Sequence, residues 1–178
     1  MEAAMLTVDE QSLAHGLRPL ITETLLVFAR MEFALIVASY RKAGYEARAE
    51  IDRNAFADDL AASGLSLDQV KGAVSYLTDS RPGRLVINGA KNVLEWKFEP
   101  RIDTPSTREV LTEVWQVRNN LAHGSKGHFR SKIANPKRDE ELMLAALDVL
   151  EACLDHASKQ AHGTNLLRLH DVFFDHYG

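Results

Sequence analysis

Leu17, Leu20, Ile21, Phe28, Met31, Leu35 and Ala38, with Thr24 among them, recur at three- and four-residue steps, the spacing that lines one face of a helix. The pattern predicts a long first helix over residues 17–43, ended by Gly44. A shorter helix is expected next, opened by Asp52, carrying Phe56 and Leu60 and stopped at Ser63-Gly64. The stretch "SLDQVKGAVSYL" starts with a capping-box pattern, Ser66 and Gln69, and repeats Leu67, Val70, Val74 and Leu77 at helical steps. Gly72 weakens that helix by roughly 1 kcal/mol relative to alanine unless a neighbour needs close approach.

The period changes over residues 81–100. A Pro-Gly turn opens a run of β-branched and aromatic residues that flank Asn88-Gly89, which predicts a short extended or hairpin excursion, read as an insertion on a helical scaffold. Helical spacing resumes after a second capping-box pattern, Ser106 with Glu109, through Val110, Leu111, Val114, Trp115, Val117 and Leu121, with Gly124 as the stop. Residues 139–157 form the most regular amphipathic pattern, with Leu142, Ala145, Ala146, Val149, Leu150, Cys153 and Leu154 on one stripe. Gly163 separates it from a terminal helical segment, "TNLLRLHDVFF". Without repeats or linker-like tracts, the chain is expected to be all-α, a helical bundle forming a single domain over residues 1–178.

Composition adds limits. At 178 residues and 46% hydrophobic, the chain suffices for one ordinary core and is short for two. Cys153 is its only cysteine, which leaves no internal disulfide framework and fits a reducing compartment. The first residues lack a basic-then-apolar signal, and Arg30, Glu32 and Arg41 interrupt the longest apolar runs. A cytoplasmic protein with no membrane span is therefore expected. The net charge of −4 opposes indiscriminate nucleic-acid binding, yet it is unevenly spread. Between Arg118 and Arg138 stand six Lys or Arg and no acid, so the remaining 15 basic residues (21 less six) face all 25 acidic ones. A basic segment on an acidic body guides a polyanion to one place.

That segment begins at "VWQVRNNLAHGSKGHF", where an apolar helical run ends in Arg118, Asn119, Asn120 and His123. At about 100° per residue, Asn119 and His123 share a face, while Arg118 and His123 sit roughly 140° apart. The long arginine side chain can curl around the axis, so the group suits a site shared along a helix end. Cleaving RNA without a metal needs a base for the 2′-hydroxyl proton, an acid for the leaving oxygen and a cation for the charge on phosphorus. A histidine titrates near neutrality and fills either proton-transfer role; an arginine fork matches phosphate oxygens. One chain offers one such histidine here, and a symmetric dimer would offer two.

"RNNLAHG", as Arg-Asn-x-x-x-His-Gly, resembles the Arg-x4-His signature of the HEPN superfamily, helical-bundle proteins of which many are metal-independent RNases in toxin, defence and stress systems. The stretches "FARMEFALIVASYRKAGY" and "RNAFADDL" are also similar to uncharacterised bacterial members. The resemblance implies an antiparallel four-helix bundle core, a homodimer, and an endoribonuclease site made of paired motifs. Arg118 and His123 match the two fixed positions, and Asn119 matches the polar residue that often follows the arginine. Members controlled by a partner nucleotidyltransferase carry a tyrosine two places after the histidine; Ser125 stands there in this chain, so adenylylation at that position is not expected.

The expected roles are then His123 in proton transfer, Arg118 on the scissile phosphate and Asn119 orienting them, with RNA as substrate and an antitoxin or regulator as a further partner. Lys126, Arg130 and Lys132 are candidate RNA-binding residues. Glu32 lies beside the apolar stripe with no basic residue one turn away, and is a candidate partner for Arg118 or His123 across the bundle. Trp115 fits the core, whereas Trp96 is placed either on a base or over the bundle. The C-terminal histidines His156, His162, His170 and His176 lack the spacing of a zinc helix, so neither metal nor other cofactor is expected. Two rival readings stay open: an RNA- or nucleotide-binding or regulatory dimer on the same fold, and a purely structural helix end.

Overall fold

The computed structural model describes residues 17–88, 93–122 and 136–175. Six α-helices and two short strand pairs follow in the order α1 (Leu17–Val37), β1 (Arg41–Ala43), β2 (Ala49–Ile51), α2 (Arg53–Ala62), α3 (Lys71–Asp79), β3 (Arg84–Asn88), β4 (Val93–Lys97), α4 (Thr107–Ala122), α5 (Pro136–Ser158) and α6 (Asn165–Asp175). The chain is thus mainly helical, as its periodicity predicts. No helix among the described residues is long and apolar enough to cross a membrane.

The first helix stops short of the expected residue 43. Ser39 takes a left-handed backbone (φ 77°), and the Tyr40 N–H donates back to Leu35 C=O at 2.9 Å while the Ser39 N–H donates to Ile36 C=O. This is the closure usually built on glycine, so the stop lies five residues before Gly44. Tyr40 is thereby turned into the core, its ring edge-on to Phe56 at 5.3 Å and its hydroxyl donating to Asp59 at 2.9 Å. Arg41 to Ala43, exposed throughout, pair antiparallel with Ala49 to Ile51, a strand pair the helical pattern does not predict.

α2 starts and ends as expected. Asp52 accepts a hydrogen bond from Ala55 N–H at 3.1 Å, and Gly64 (φ 81°) supplies the left-handed closure behind Ser63, with Leu65 N–H returning to Leu60 C=O. At Ser66 the outcome differs. Its hydroxyl accepts from Asp68 N–H, and a single 3-10 turn, Asp68–Val70, precedes α3. The Ser106–Glu109 box is complete: the Glu109 carboxylate accepts from Ser106 N–H at 2.8 Å, and Glu109 N–H donates to Ser106 Oγ. These bonds hold the Glu109 carboxyl below the usual carboxylate range.

One buried cluster runs from Leu17 to Phe173. α1 touches α4, α5 and α6; α5 touches α1, α3, α4 and α6; α4 touches α1, α2, α3 and α5. Phe28 of α1 and Trp115 of α4 meet at 5.3 Å near its centre. All seven residues of the predicted α5 stripe are buried, and Leu166, Leu169 and Phe173 close α6 over α1 and α5.

The excursion at residues 81–100 is an antiparallel hairpin, with Arg84 opposite Lys97 and Asn88 opposite Val93. Its base is tied into the bundle rather than appended to it. Arg81 donates through Nε and Nη2 to one oxygen of Glu113, at 3.0 and 2.7 Å, and through Nη1 to Pro100 C=O. Arg84 lies 3.9 Å from the same oxygen. Arg138 of α5 donates to the carbonyls of Ser80 and Arg81 and stands over the Phe98 ring. Trp96 and Phe98 cover Gly83 so closely that a Cβ there would collide with both rings.

Two stability tests follow from these observations. Gly72 has open space where a Cβ would go, so Gly72→Ala and the reverse type of exchange, Ser39→Gly, are each expected to stabilise by about 0.5–1 kcal/mol in denaturant titrations. Glu113 is 1% exposed and neutralises Arg81, so Glu113→Ala is expected to cost about 3–5 kcal/mol by leaving a guanidinium without its carboxylate.

Candidate functional site

α4 carries two polar faces. Glu113, Gln116 and Asn120 recur at three- and four-residue steps, Glu113 and Asn120 meeting the hairpin, while Arg118 lies about 140° around the axis from Glu113, toward α1. On the hairpin side Gln116 donates to Asn120 Oδ1 and Asn120 donates to Gly83 C=O, both at 2.9 Å. Asn120 is therefore a buried structural tie.

On the other side Arg118 Nη2 donates to Glu32 Oε2 of α1 at 2.8 Å, the two side chains being 28% and 20% exposed. Arg118 Nη1 reaches Asn119 Oδ1 only at 3.5 Å, the outer limit of a hydrogen bond. The Glu32 pairing follows from the first helix: Phe28, Met31 and Leu35 are sunk in the core, which leaves Glu32 at the border of that stripe. A carboxylate held there meets the last turn of α4 and fixes the guanidinium at a partly open rim.

A third charge completes the group. Arg53, the first residue of α2, stands with its guanidinium carbon 4.7 Å above the Trp115 ring. α2 packs on α4, and Arg108 adds an exposed pair between them, its Nη2 donating to both oxygens of Asp58 at 2.6 and 2.7 Å. Burial pulls the Arg53 guanidinium below its ordinary range, with Glu32 opposing that shift and Arg118 reinforcing it. Arg53, Glu32 and Arg118 thus share one field, two cations to one anion.

The structure therefore brings Glu32, Arg118 and Asn119 together. His123, Lys126, Arg130 and Lys132 lie outside the described residues, as does Ser125. Sequence spacing does not find Arg53 or the tie made by Asn120. A signal for Arg53 exists, since a cation at the first turn of a helix opposes the helix dipole and invites a reason.

Other candidates have local explanations. Trp115 is buried among core residues. Trp96 covers Gly83. Cys153 is fully enclosed, and burial pushes its thiol up to about 12, far from a reactive thiolate. His156 sits 2.8 Å from Ser63 Oγ and 3.0 Å from Gln160 Nε2, and burial, with Lys159 nearby, lowers its pKa. His170 lies 3.3 Å from Asp171 and against Phe174. Among the described residues no three His, Cys, Asp or Glu side chains are grouped to hold a metal ion.

A double-mutant cycle on Glu32→Gln and Arg118→Met is expected to give a coupling of about 1 kcal/mol, against nearly zero for the exposed Glu46–Arg48 pair. The chain matches no family model, no curated protein and no solved structure.

Proposed function

We propose that the chain is a HEPN-like, metal-independent endoribonuclease that works as a homodimer in a toxin, defence or stress system. In this reading α1, α4, α5 and α6 are the antiparallel four-helix core, and their mutual contacts support it. The observation that carries the reading is the Glu32–Arg118 pair, which holds the motif arginine at the rim of α4 one turn before the helix ends. His123 follows directly on the last described residue of α4.

Arg118 binds a non-bridging oxygen of the scissile phosphate and offsets the charge that grows on it. The imidazoles of the two protomers divide the proton transfers: one takes the 2′-hydroxyl proton, the other protonates the departing 5′-oxygen. The 2′-oxygen attacks phosphorus, and the products are a 2′,3′-cyclic phosphate and a free 5′-hydroxyl. Lys126, Arg130 and Lys132 attract the strand through its phosphates, and Asn119 orients Arg118 or His123.

The same ion pair gives a second reading its support. A guanidinium already engaged by Glu32 has fewer free donors for phosphate, which suits an RNA- or nucleotide-binding regulatory dimer that turns nothing over.

Incubated with labelled single-stranded RNA in EDTA, the chain is expected to yield fragments ending in 2′,3′-cyclic phosphate. His123→Ala should abolish cleavage with an unchanged melting temperature, and Arg118→Lys should lower the rate about 100-fold or more because the planar fork is lost. Salt-sensitive RNA affinity without products would favour the regulatory reading instead.

A further inference from the structure

Most arginines packed between the described elements meet oxygen partners. Arg81 meets Glu113 and Pro100 C=O, Arg108 meets Asp58, Arg118 meets Glu32, and Arg138 meets two carbonyls. Arg53 is partly buried and rests on the Trp115 face, and among the described residues no oxygen accepts from its guanidinium. Its N–H groups are not sealed from solvent, so they stand open to an acceptor that arrives from outside. The ring beneath it supplies a cation–π contact and no hydrogen-bond acceptor.

Position compounds the mismatch. Arg53 opens α2, where the helix dipole disfavours a cation, and Arg118 repels it across the cluster. One carboxylate, Glu32, stands against two guanidiniums, so the cluster carries a net charge of about +1. Each of these costs is relieved by one kind of visitor, an anion with several oxygens seated between the arginines. The helix N-terminus strengthens the same preference, and the Trp115 ring holds the fork still before the anion arrives.

We propose that Arg53 is a second phosphate-binding side chain of the Arg118 site, so that the site grips phosphate with guanidiniums from α2 and α4. The anion's identity as an RNA backbone phosphate rests on the ribonuclease reading; the two-arginine grip rests on the cluster alone. Arg53 supplies planar, multi-point contact that an ammonium cannot copy. Because its platform is the ring face of Trp115, that face is covered and does not stack on a base.

Two measurements on the full chain separate the claims. In the first, inorganic phosphate is titrated at constant ionic strength and its 31P line width recorded. The wild-type chain should broaden the line, Arg53→Met should not, and Arg53→Lys should do so weakly. In the second, fluorescence anisotropy reports single-stranded RNA binding by the His123→Ala chain across a salt series. Adding Arg53→Met should weaken binding about tenfold, the effect of one charge-assisted hydrogen bond. It should also reduce the slope of log affinity against log salt by about 0.7, one phosphate contact on a single strand.

A wild-type chain that leaves the phosphate line unchanged overturns the proposal. So does an Arg53→Met chain that keeps the broadening, or keeps the RNA affinity and salt slope, while losing only melting temperature. Phosphate binding that depends on Arg53 in a chain with no RNA affinity upholds the anion grip and removes the ribonuclease reading. RNA binding indifferent to Arg53 does the reverse. If Arg53→Met does not fold, Arg53→Lys decides: RNA affinity equal to wild type overturns the proposal, and a several-fold loss with the salt slope retained supports it.

Discussion

A helix packed on four others has little surface left for water, and α4 is in that position, with α1, α2, α3 and α5 all against it. Its apolar residues need nothing more than shape. Its polar ones need partners inside the protein, because a buried polar group without one costs more than most packing contacts return. The arrangement of the other elements follows from that demand. α1 supplies Glu32 for Arg118, and the hairpin supplies Arg81 for Glu113 and Gly83 C=O for Asn120, whereas the Arg108–Asp58 pair with α2 is exposed to solvent.

These ties also set the electrostatics of the site. The fold uses carboxylates to hold selected arginines in place: Arg81, with Arg84 farther off, meets Glu113, and Arg108 meets Asp58. At the α1–α2–α4 junction two guanidiniums, Arg53 and Arg118, feel the one carboxylate of Glu32, which pairs directly with Arg118. An excess of positive charge in a partly desolvated place acts over a longer range than the same charge in water. The basic segment from Arg118 to Arg138 extends the same sign along the sequence. A polyanion approaching an otherwise acidic body meets attraction from one direction only.

Much of the helical layout was legible because burial imposes a period. The α5 stripe, the Asp52 cap, the Ser63-Gly64 stop and the Ser106–Glu109 box all depend on residues within a turn of one another. The departures arise where distant contacts override local preference. Ser39 adopts the left-handed closure because Tyr40 gains Phe56 and Asp59 by turning inward, nineteen positions away in the second case. No local residue announces that. Glu32 could be suspected from its place beside the stripe and its lack of a helical neighbour, yet its pairing with Arg118 spans 86 positions. Arg53 and Asn120 show the limit: the first has only its place at a helix start to mark it and the second nothing local, and the meeting of separate elements gives each its role.

The hairpin at residues 81–100 reads from sequence as an addition to a helical scaffold, and its attachment alters what that means. Glu113 is a carboxylate in the interior of α4 whose neutralising charge comes from Arg81 at the hairpin's foot. A relative that dispensed with the hairpin could not simply shorten its chain there. It would also need an uncharged side chain at the position of Glu113 and another carbonyl for Asn120, so excision and helix surface must change together. Length variation at this point should accordingly travel with substitutions on α4 that look unrelated in a linear alignment.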